Sequence, residues 1–309
     1  MGFNTWVREL SKCLTNVREW SKCLRDVAIE KFVRTDSIIL VSLSRYRSAL
    51  YPSYLAFKSL TKVRVEYVDP DTLIYFIGPY RELMPKVLLY FDGEARRLGR
   101  LLRVIDTLNM LRTNYTLITP KIPEQFIKRA RGDVIQTSEG VDPLIAINYL
   151  LLDSITTSRN TCLAEKRCGR LSEELKDMPS LISDFLSYYG ARLSTLINSL
   201  KELVGTGSVV ALVSTPSLRI VSEVLSDYLS RCKIVPLSIN YSINVMPIQG
   251  RIAKIIALVT DVEDAYVKEL VPPIMVKVPI HELRIRTDPL TAPIYGLLLT
   301  KVITGSLGS

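Results

Sequence analysis

The chain has 309 residues, of which 48% are hydrophobic and 23% are charged, and its formal net charge is +9. This composition is typical of a globular protein and supplies apolar material for one large or two ordinary domains. No uninterrupted apolar run reaches the ~20 residues that a membrane span needs. The first residues include Arg8 and Glu9 and contain no apolar segment. We therefore expect a cytoplasmic protein without a membrane span or a secretory signal.

The positive charge is spread along the chain, and its densest cluster is modest: Lys128, Arg129 and Arg131. A dispersed positive charge usually belongs to a solvated surface, so the composition permits nucleic-acid binding without favouring it. Glutamine is nearly absent, which resembles the composition of heat-adapted proteins, in which thermolabile amides are depleted.

Five cysteines are present, and intracellular disulfides occur in heat-adapted proteins. Cys162 and Cys168 lie close together in a polar stretch. They either close a short loop or remain two free thiols, and the sequence leaves both readings open. Since there is no C-x-x-C pair and the single histidine, His281, is distant in sequence, we expect no metal site.

The N-terminal region predicts one long amphipathic helix from Trp6 to Phe32, because apolar residues recur at helical spacing. We expect one side of this helix to be buried and the other exposed. The residues expected to be buried are Leu10, Leu14, Val17 and Leu24, and those expected to be exposed are Arg8, Glu9, Lys12, Lys22 and Arg25.

Strand and helix patterns then alternate, which predicts a parallel sheet covered by helices on both faces. The predicted strands are Ser37–Leu43, Lys62–Val68, Lys86–Phe91, Asn114–Thr119 and Asp133–Thr137, with Leu73–Gly78 as a short strand or a loop. The predicted helices are Ser48–Leu60, Glu94–Arg112 and Asp142–Ile155.

A polar stretch from Thr156 to Lys176 predicts a linker, after which a helix over Ser180–Val204, with a break near Gly190, starts a second alternation. Its strands are Gly207–Ser214, Cys232–Ile239, Ala253–Thr260 and Pro273–Ile280, and its helices are Ser217–Arg231, Asp264–Val271 and Pro289–Ile303. The sequence thus predicts an internally duplicated α/β protein. Its expected divisions are an N-terminal helix (1–33), a first domain (34–158), a linker (159–179) and a second domain (180–309).

Three stretches resemble the tandem sugar isomerase (SIS) fold, which has two flavodoxin-like domains. They are KVLLYFDGEARRLGRLLRVIDTLNMLRTNYTLIT (86–119), VVALVSTPSLRIVSEVLSDYL (209–229) and VPIHELRIRTDPLTAPIYGLLL (278–299). The last is similar to the closing segment of archaeal bifunctional phosphoglucose/phosphomannose isomerases. The resemblance implies a phosphate cradle, a carboxylate base, a ring-opening histidine, a homodimer and no cofactor.

The first phosphate cradle of that family corresponds to the turn SLSRYRS. Its hydroxyl groups are those of Ser42, Ser44 and Ser48, and Arg45 or Arg47 could pair with a phosphate. The family's glycines are missing, so a ligand cannot approach the backbone as closely. Ser48 is the strongest single candidate, but the simpler interpretation as a helix cap is favoured.

The second cradle corresponds to Tyr90–Ala95, in which only Gly93 matches the family pattern. Two hydroxyl groups are lost, and the carboxylates of Asp92 and Glu94 stand beside the start of a helix. The helix dipole favours such carboxylates, and they would repel a phosphate.

The family's base and histidine correspond to Leu237–Lys254, which contains neither a carboxylate nor a histidine; its amides are Asn240, Asn244 and Gln249. His281 and Glu282 form the only histidine–carboxylate neighbour pair. The family's lysine in the last helix has its nearest counterpart in Lys301, which is displaced. These three residues are the candidate catalytic groups.

The interpretation is a SIS-fold protein that binds a phosphorylated sugar and whose catalysis is lost or diverged. Whether it is an enzyme stays open. One alternative is an active isomerase interconverting glucose 6-phosphate or mannose 6-phosphate with fructose 6-phosphate, using a rearranged site with His281, Glu282 or Glu139. A second alternative is a basic scaffold or nucleic-acid-binding protein.

Overall fold

The computed structural model describes residues 3–80, 84–158, 161–239, 252–265 and 278–308. The chain divides into two compact units, residues 12–179 and residues 1–11 together with 180–309. Among the described residues, no helix combines the length and the apolar character that crossing a bilayer requires.

The first unit, residues 12–179, contains a five-stranded parallel sheet. Its strands lie in the order β2-β1-β3-β4-β5, which is the flavodoxin-like order. The central strands are mostly apolar and buried because helices cover both faces. The strands are β1 (Ser37–Leu43), β2 (Arg64–Val68), β3 (Lys86–Phe91), β4 (Tyr115–Thr119) and β5 (Asp133–Gln136).

Alternation along the strands sends every second side chain into the core on one face of this sheet. Ile39, Val41 and Leu43 of β1 join Leu89 and Phe91 of β3 in that core. Helix α4 closes the same core with four apolar side chains at helical spacing. The helices between these strands and after them are α2 (Tyr51–Leu60), α3 (Pro70–Thr72), α4 (Leu98–Met110), α5 (Glu124–Arg129) and α6 (Pro143–Thr157).

The predicted N-terminal helix is confirmed as α1 (Phe3–Ala28), which ends in a wider turn over Ile29–Val33. Leu10, Leu14 and Val17 are buried as expected, whereas Leu24 and Arg25 are both half-buried. The remaining four polar residues that we expected to be exposed are exposed: Arg8, Glu9, Lys12 and Lys22.

The second unit contains a four-stranded parallel sheet in the order β7-β6-β8-β9. This order matches the first four strands of the other sheet, and the internally duplicated α/β architecture is therefore confirmed. The strands are β6 (Val209–Ser214), β7 (Val235–Ile239), β8 (Ile252–Thr260) and β9 (Ile280–Ile285). The helices are α7 (Glu165–Lys201), which begins in the first unit, α8 (Arg219–Arg231) and α9 (Ala292–Leu307).

Some predicted elements differ from the structure. Leu73–Ile77, which we expected to be a short strand or a loop, is a helical turn, because Leu73, Ile74 and Ile77 pack on the core at a spacing of three to four residues. Strand β9 lies at Ile280–Ile285, so His281 is inside it and does not follow it. Residues 266–277, which include most of the predicted helix Asp264–Val271 and of the predicted strand Pro273–Ile280, lie outside the described residues.

Helix α7 covers much of the predicted linker and continues without a break through Gly190. Its sequence contains many charged residues but also has an apolar stripe at helical spacing. Burial of this stripe along its whole length stabilises a single long helix. The stripe includes Leu171, Leu175, Met178, Ile182 and Leu186, all of which are buried.

Cys162 and Cys168 form a disulfide, which decides between the two readings that the sequence left open. The bond joins the first turns of α7 to the segment that follows α6. Both sulfur-bearing residues are buried. The bond therefore restrains this connection in the folded chain and shortens the loop available to the unfolded chain.

We expect the Cys162→Ser/Cys168→Ser variant to lose about 2 kcal/mol of unfolding free energy, the loop entropy of a short disulfide ring. Urea unfolding in the absence of reductant measures the loss. The control is Cys23→Ser, which removes an exposed free thiol and should change nothing. Equal stability of the double variant and the wild type would contradict the prediction.

Candidate functional site

The order in which strands are added to the first sheet reverses between β1 and β3. The chain places β2 on one side of β1 and then crosses to place β3 on the other side. In open α/β sheets, ligands bind outside the carboxyl ends of the strands at such a switch point. A cavity of about 610 Å³ lies at the carboxyl ends of β1 and β2. Its polar lining consists of Ser42, Ser44, Arg45, Arg47, Tyr67, Asp69, Asp71, Arg97 and Arg100.

Arg97 connects two walls of this cavity. Its Nη1 donates to the carbonyl oxygen of Ser44 over 2.9 Å, and its Nε donates to Oε2 of Glu94 over 2.8 Å. The hydrogen bond from Arg97 is the main reason that the pKa of Glu94 lies below its usual value. Arg100, one turn further along α4, forms an ion pair with Asp71. The guanidinium groups are thus oriented by neighbouring carboxylates.

The opposite wall follows strand β2. Asp69 caps α3 by accepting the backbone N–H groups of Asp71 and Thr72, each over 3.0 Å. Burial raises the pKa of Asp69, but the hydrogen bonds from Thr72 and from the Asp71 backbone outweigh it, so the net shift is downward. The Tyr67 hydroxyl donates to the carbonyl oxygen of Arg47, which places an aromatic ring in the cavity wall.

Asp92 occupies the turn after β3, where the sequence resemblance implies a phosphate cradle. Its Oδ2 accepts the backbone N–H of Arg45 over 2.8 Å, and its Oδ1 accepts the backbone N–H of Glu94 over 3.1 Å. One carboxylate therefore joins the turn after β1 to the turn after β3. The backbone N–H groups of Arg45 and Glu94, which could otherwise donate to a phosphate, are thus already paired.

Gly93 is required by the backbone and by its neighbour. Its φ is +81°, and a Cβ atom at this position would lie 2.6 Å from Cγ of Pro120. Left-handed backbone combined with this contact leaves no room for a larger residue. Gly93, the one residue that matches the second cradle of the family, is thus explained by backbone conformation and packing.

We expect Gly93→Ala to lower the unfolding free energy by about 1–3 kcal/mol, because the new side chain is strained by both the φ angle and Pro120. The matched control is Gly99→Ala in α4, where an added Cβ meets nothing within 4 Å. In a helix, alanine should raise the stability by up to about 1 kcal/mol. Denaturant unfolding of both variants tests this, and equal effects would contradict it.

The structure brings Ser42, Ser44, Arg45 and Arg47 into one cavity. Ser48 is buried and is not among the residues that line it. Ser48 is also not the helix cap that we considered, because α2 begins at Tyr51 with Leu50 in the cap position.

From the sequence, Arg97 is most simply explained by an exposed helix face, and four further cavity residues were missed: Tyr67, Asp69, Asp71 and Arg100. Two signals could have identified them. Arg97 and Arg100 are spaced three residues apart where a helix follows a strand, and Asp69 with Pro70 directly follows a strand end, which is a typical capping pattern.

His281 lies in the second unit, at the amino end of β9. Its Nε2 is 3.5 Å from Oγ of Ser199. Burial lowers the pKa of His281, and the nearby positive charge of Lys254 lowers it further. Because ligands bind at the carboxyl ends of the strands, this position is the wrong end of the sheet for a catalytic histidine.

The other catalytic candidates do not join His281. Glu282 is on the opposite face of β9, since successive strand residues point in opposite directions. Its Oε1 accepts a 2.6 Å hydrogen bond from Nε of Arg284. Lys301 lies in α9, and Glu139 is an exposed loop residue of the first unit. Within the described ranges, no group of His, Cys, Asp and Glu side chains could hold a metal ion.

The lowered pKa of His281 predicts a pH dependence of stability. In the folded chain the ring resists protonation, whereas in the unfolded chain it titrates near its ordinary value of 6.5. The unfolded state therefore binds more protons, and stability is lost as the pH falls below that value, with a slope of at most about 1.4 kcal/mol per pH unit. His281→Gln should flatten this part of the profile between about pH 8 and pH 5. Identical profiles for variant and wild type would contradict it.

No family model matches the chain, and no curated protein matches its sequence. Solved structures do match its fold. A protein named as a phosphosugar isomerase from Clostridium difficile has 11% identity and a TM-score of 0.67 over 99% of this chain and 92% of its own. The C-terminal domain of glucosamine-fructose-6-phosphate aminotransferase from Francisella tularensis has 14% identity and a TM-score of 0.60, covering 99% and 96% of the two chains.

Tagatose-6-phosphate ketose/aldose isomerase from Escherichia coli is similar over 100% of this chain and 95% of its own, with 11% identity and a TM-score of 0.52. These identities are low, so the likeness concerns the fold alone. The chain has the tandem SIS fold that the sequence resemblance implied.

Proposed function

We propose that the cavity of the first unit binds the phosphate group of a phosphorylated sugar through guanidinium side chains. We propose further that the chain does not isomerise this ligand by a carboxylate–histidine mechanism. The observation that carries the proposal is the convergence of four arginines on one cavity at the switch point of a SIS-fold sheet.

Arginine suits this role because its planar guanidinium binds two phosphate oxygens at once. Arg45, Arg47, Arg97 and Arg100 line a cavity of about 610 Å³, which is within the range of small-molecule sites. Arg97 and Arg100 are held by carboxylates on one side. Such support fixes a guanidinium in position and reduces the entropy lost on binding.

The remaining lining suits the hydroxyl groups of a sugar. Ser42 and Ser44 can both donate and accept hydrogen bonds, and the carboxylates of Asp69 and Asp71 can accept them. The ring of Tyr67 adds a flat apolar surface. The cavity thus offers cationic groups for a phosphate and neutral or acidic groups for the rest of the ligand.

The residues available for proton transfer explain the second part of the proposal. Moving a proton between two sugar carbons needs a base within hydrogen-bond reach of the substrate. His281 belongs to the other unit and lies at the amino end of its strand. The segment that corresponds to the family's base, Leu237–Lys254, contains no carboxylate or histidine.

We expect glucose 6-phosphate to bind the wild type in isothermal titration calorimetry and glucose to bind at least about tenfold more weakly, because the guanidinium–phosphate hydrogen bonds are charge-assisted. Arg47→Gln/Arg100→Gln should lose that preference for the phosphorylated sugar. The control is Arg96→Gln, which removes one positive charge from an exposed neighbour outside the cavity.

Three results would contradict the proposal. Equal affinity of the cavity variant and the control would show that the phosphate binds elsewhere. Conversion of glucose 6-phosphate to fructose 6-phosphate above a protein-free blank would favour the active isomerase. Salt-sensitive binding of DNA or RNA without sugar-phosphate binding would favour the nucleic-acid alternative. The resemblance also leads us to propose a homodimer, which sedimentation measures directly.

A further inference from the structure

The second unit repeats the Asp92 arrangement with a different residue. The turn after β6 begins with Thr215 and leads through Pro216–Leu218 into helix α8. Glu263, which follows β8, accepts the backbone N–H of Ser217 over 3.2 Å through Oε1. Its Oε2 accepts the hydroxyl of Ser217 and, over 2.8 Å, the hydroxyl of Thr260.

The two carboxylates hold equivalent positions in two separate sheets. Strand β8 lies beside β6 as β3 lies beside β1. In the first unit, Asp92 in the loop after β3 accepts a backbone N–H from the turn after β1. In the second unit, Glu263 in the loop after β8 accepts a backbone N–H from the turn after β6. Asp92 directly follows its strand, whereas Glu263 follows at a greater distance with a longer side chain. Different local sequences therefore produce the same contact.

We propose that Asp92 and Glu263 are intramolecular ligands that occupy backbone N–H groups in the turns at both switch points, so that these groups do not bind a phosphate, and that they so determine the specificity of this chain. The part that concerns Asp92 rests on the proposed function: with the backbone turn closed, a phosphate is left to the guanidinium groups of the cavity. The part that concerns Glu263 stands without it.

Charge and hydrogen bonding both support this role. A backbone N–H that already donates to a carboxylate cannot donate fully to a ligand, and a second anion beside the carboxylate is repelled. Removal of the side chain leaves these N–H groups without their acceptor, and a small oxyanion has the charge and the size to replace it. The proposal therefore predicts a gain of binding on truncation.

The test uses the full-length chain with Arg47→Gln/Arg100→Gln as background, so that phosphate binding in the cavity is suppressed. Into this background we introduce Glu263→Ala, which opens the turn, and separately Glu263→Gln. Glutamine is the matched control, because its amide oxygen still fills the turn without the charge. Isothermal titration with inorganic phosphate gives the stoichiometry and affinity, and circular dichroism confirms that each variant is folded.

We expect the Glu263→Ala protein to bind one equivalent of phosphate more than the background, at least about tenfold more tightly than the Glu263→Gln protein. Asp92→Ala against Asp92→Asn repeats the test in the first unit and decides the matter if Glu263→Ala does not fold. Folded alanine variants that bind phosphate no better than their amide controls would overturn the inference. Failure of the proposed function has a different signature: the wild type ignores glucose 6-phosphate, while the Glu263→Ala gain persists.

Discussion

The chemistry of this protein depends on which group accepts hydrogen bonds from the backbone N–H groups in the turns that follow its central strands. These groups must be paired wherever water is excluded. A SIS-like turn can leave them to a phosphate, whereas here the chain supplies its own carboxylate. The bond from the Arg45 N–H to Asp92 joins residues that are 47 positions apart, so it also ties two strand-end turns together. The same carboxylate therefore ties two turns together and occupies the backbone N–H of Arg45.

The arginines offset the negative charge that these carboxylates introduce. A carboxylate placed at the start of a helix is stabilised by the helix dipole, but it adds negative charge to the place where a phosphate would bind. Arg97 offsets that charge by pairing with Glu94 and with the carbonyl oxygen of Ser44. The side of the cavity facing β2 gains Arg100 in the same way through Asp71. The positive charge in this cavity is thus carried by guanidinium side chains instead of backbone N–H groups, and these side chains extend further from the sheet.

The sequence predicted the strands well and the site only in part. Ser37–Leu43 and Lys86–Phe91 match their strands because buried parallel strands are continuous apolar runs. Leu73–Ile77 is a helical turn where we expected a short strand or a loop, because a short apolar run does not distinguish a strand from a helical turn. The cavity could be recognised only from the fold: its arginines come from the segments that follow two different strands, and no local spacing reveals that β1 and β3 are neighbours.

The low identities to structures of the same fold fit this division between core and site. A parallel sheet requires apolar side chains that fill the space between helices, and many combinations of Val, Ile and Leu satisfy that requirement. A catalytic site requires particular groups within hydrogen-bond reach of one substrate. Burial can therefore keep the strand order β2-β1-β3-β4-β5 while the only histidine lies at the amino end of β9. His281 therefore lies at the end of its sheet opposite to the carboxyl ends of the strands, so a shared strand order does not fix where a titratable side chain lies.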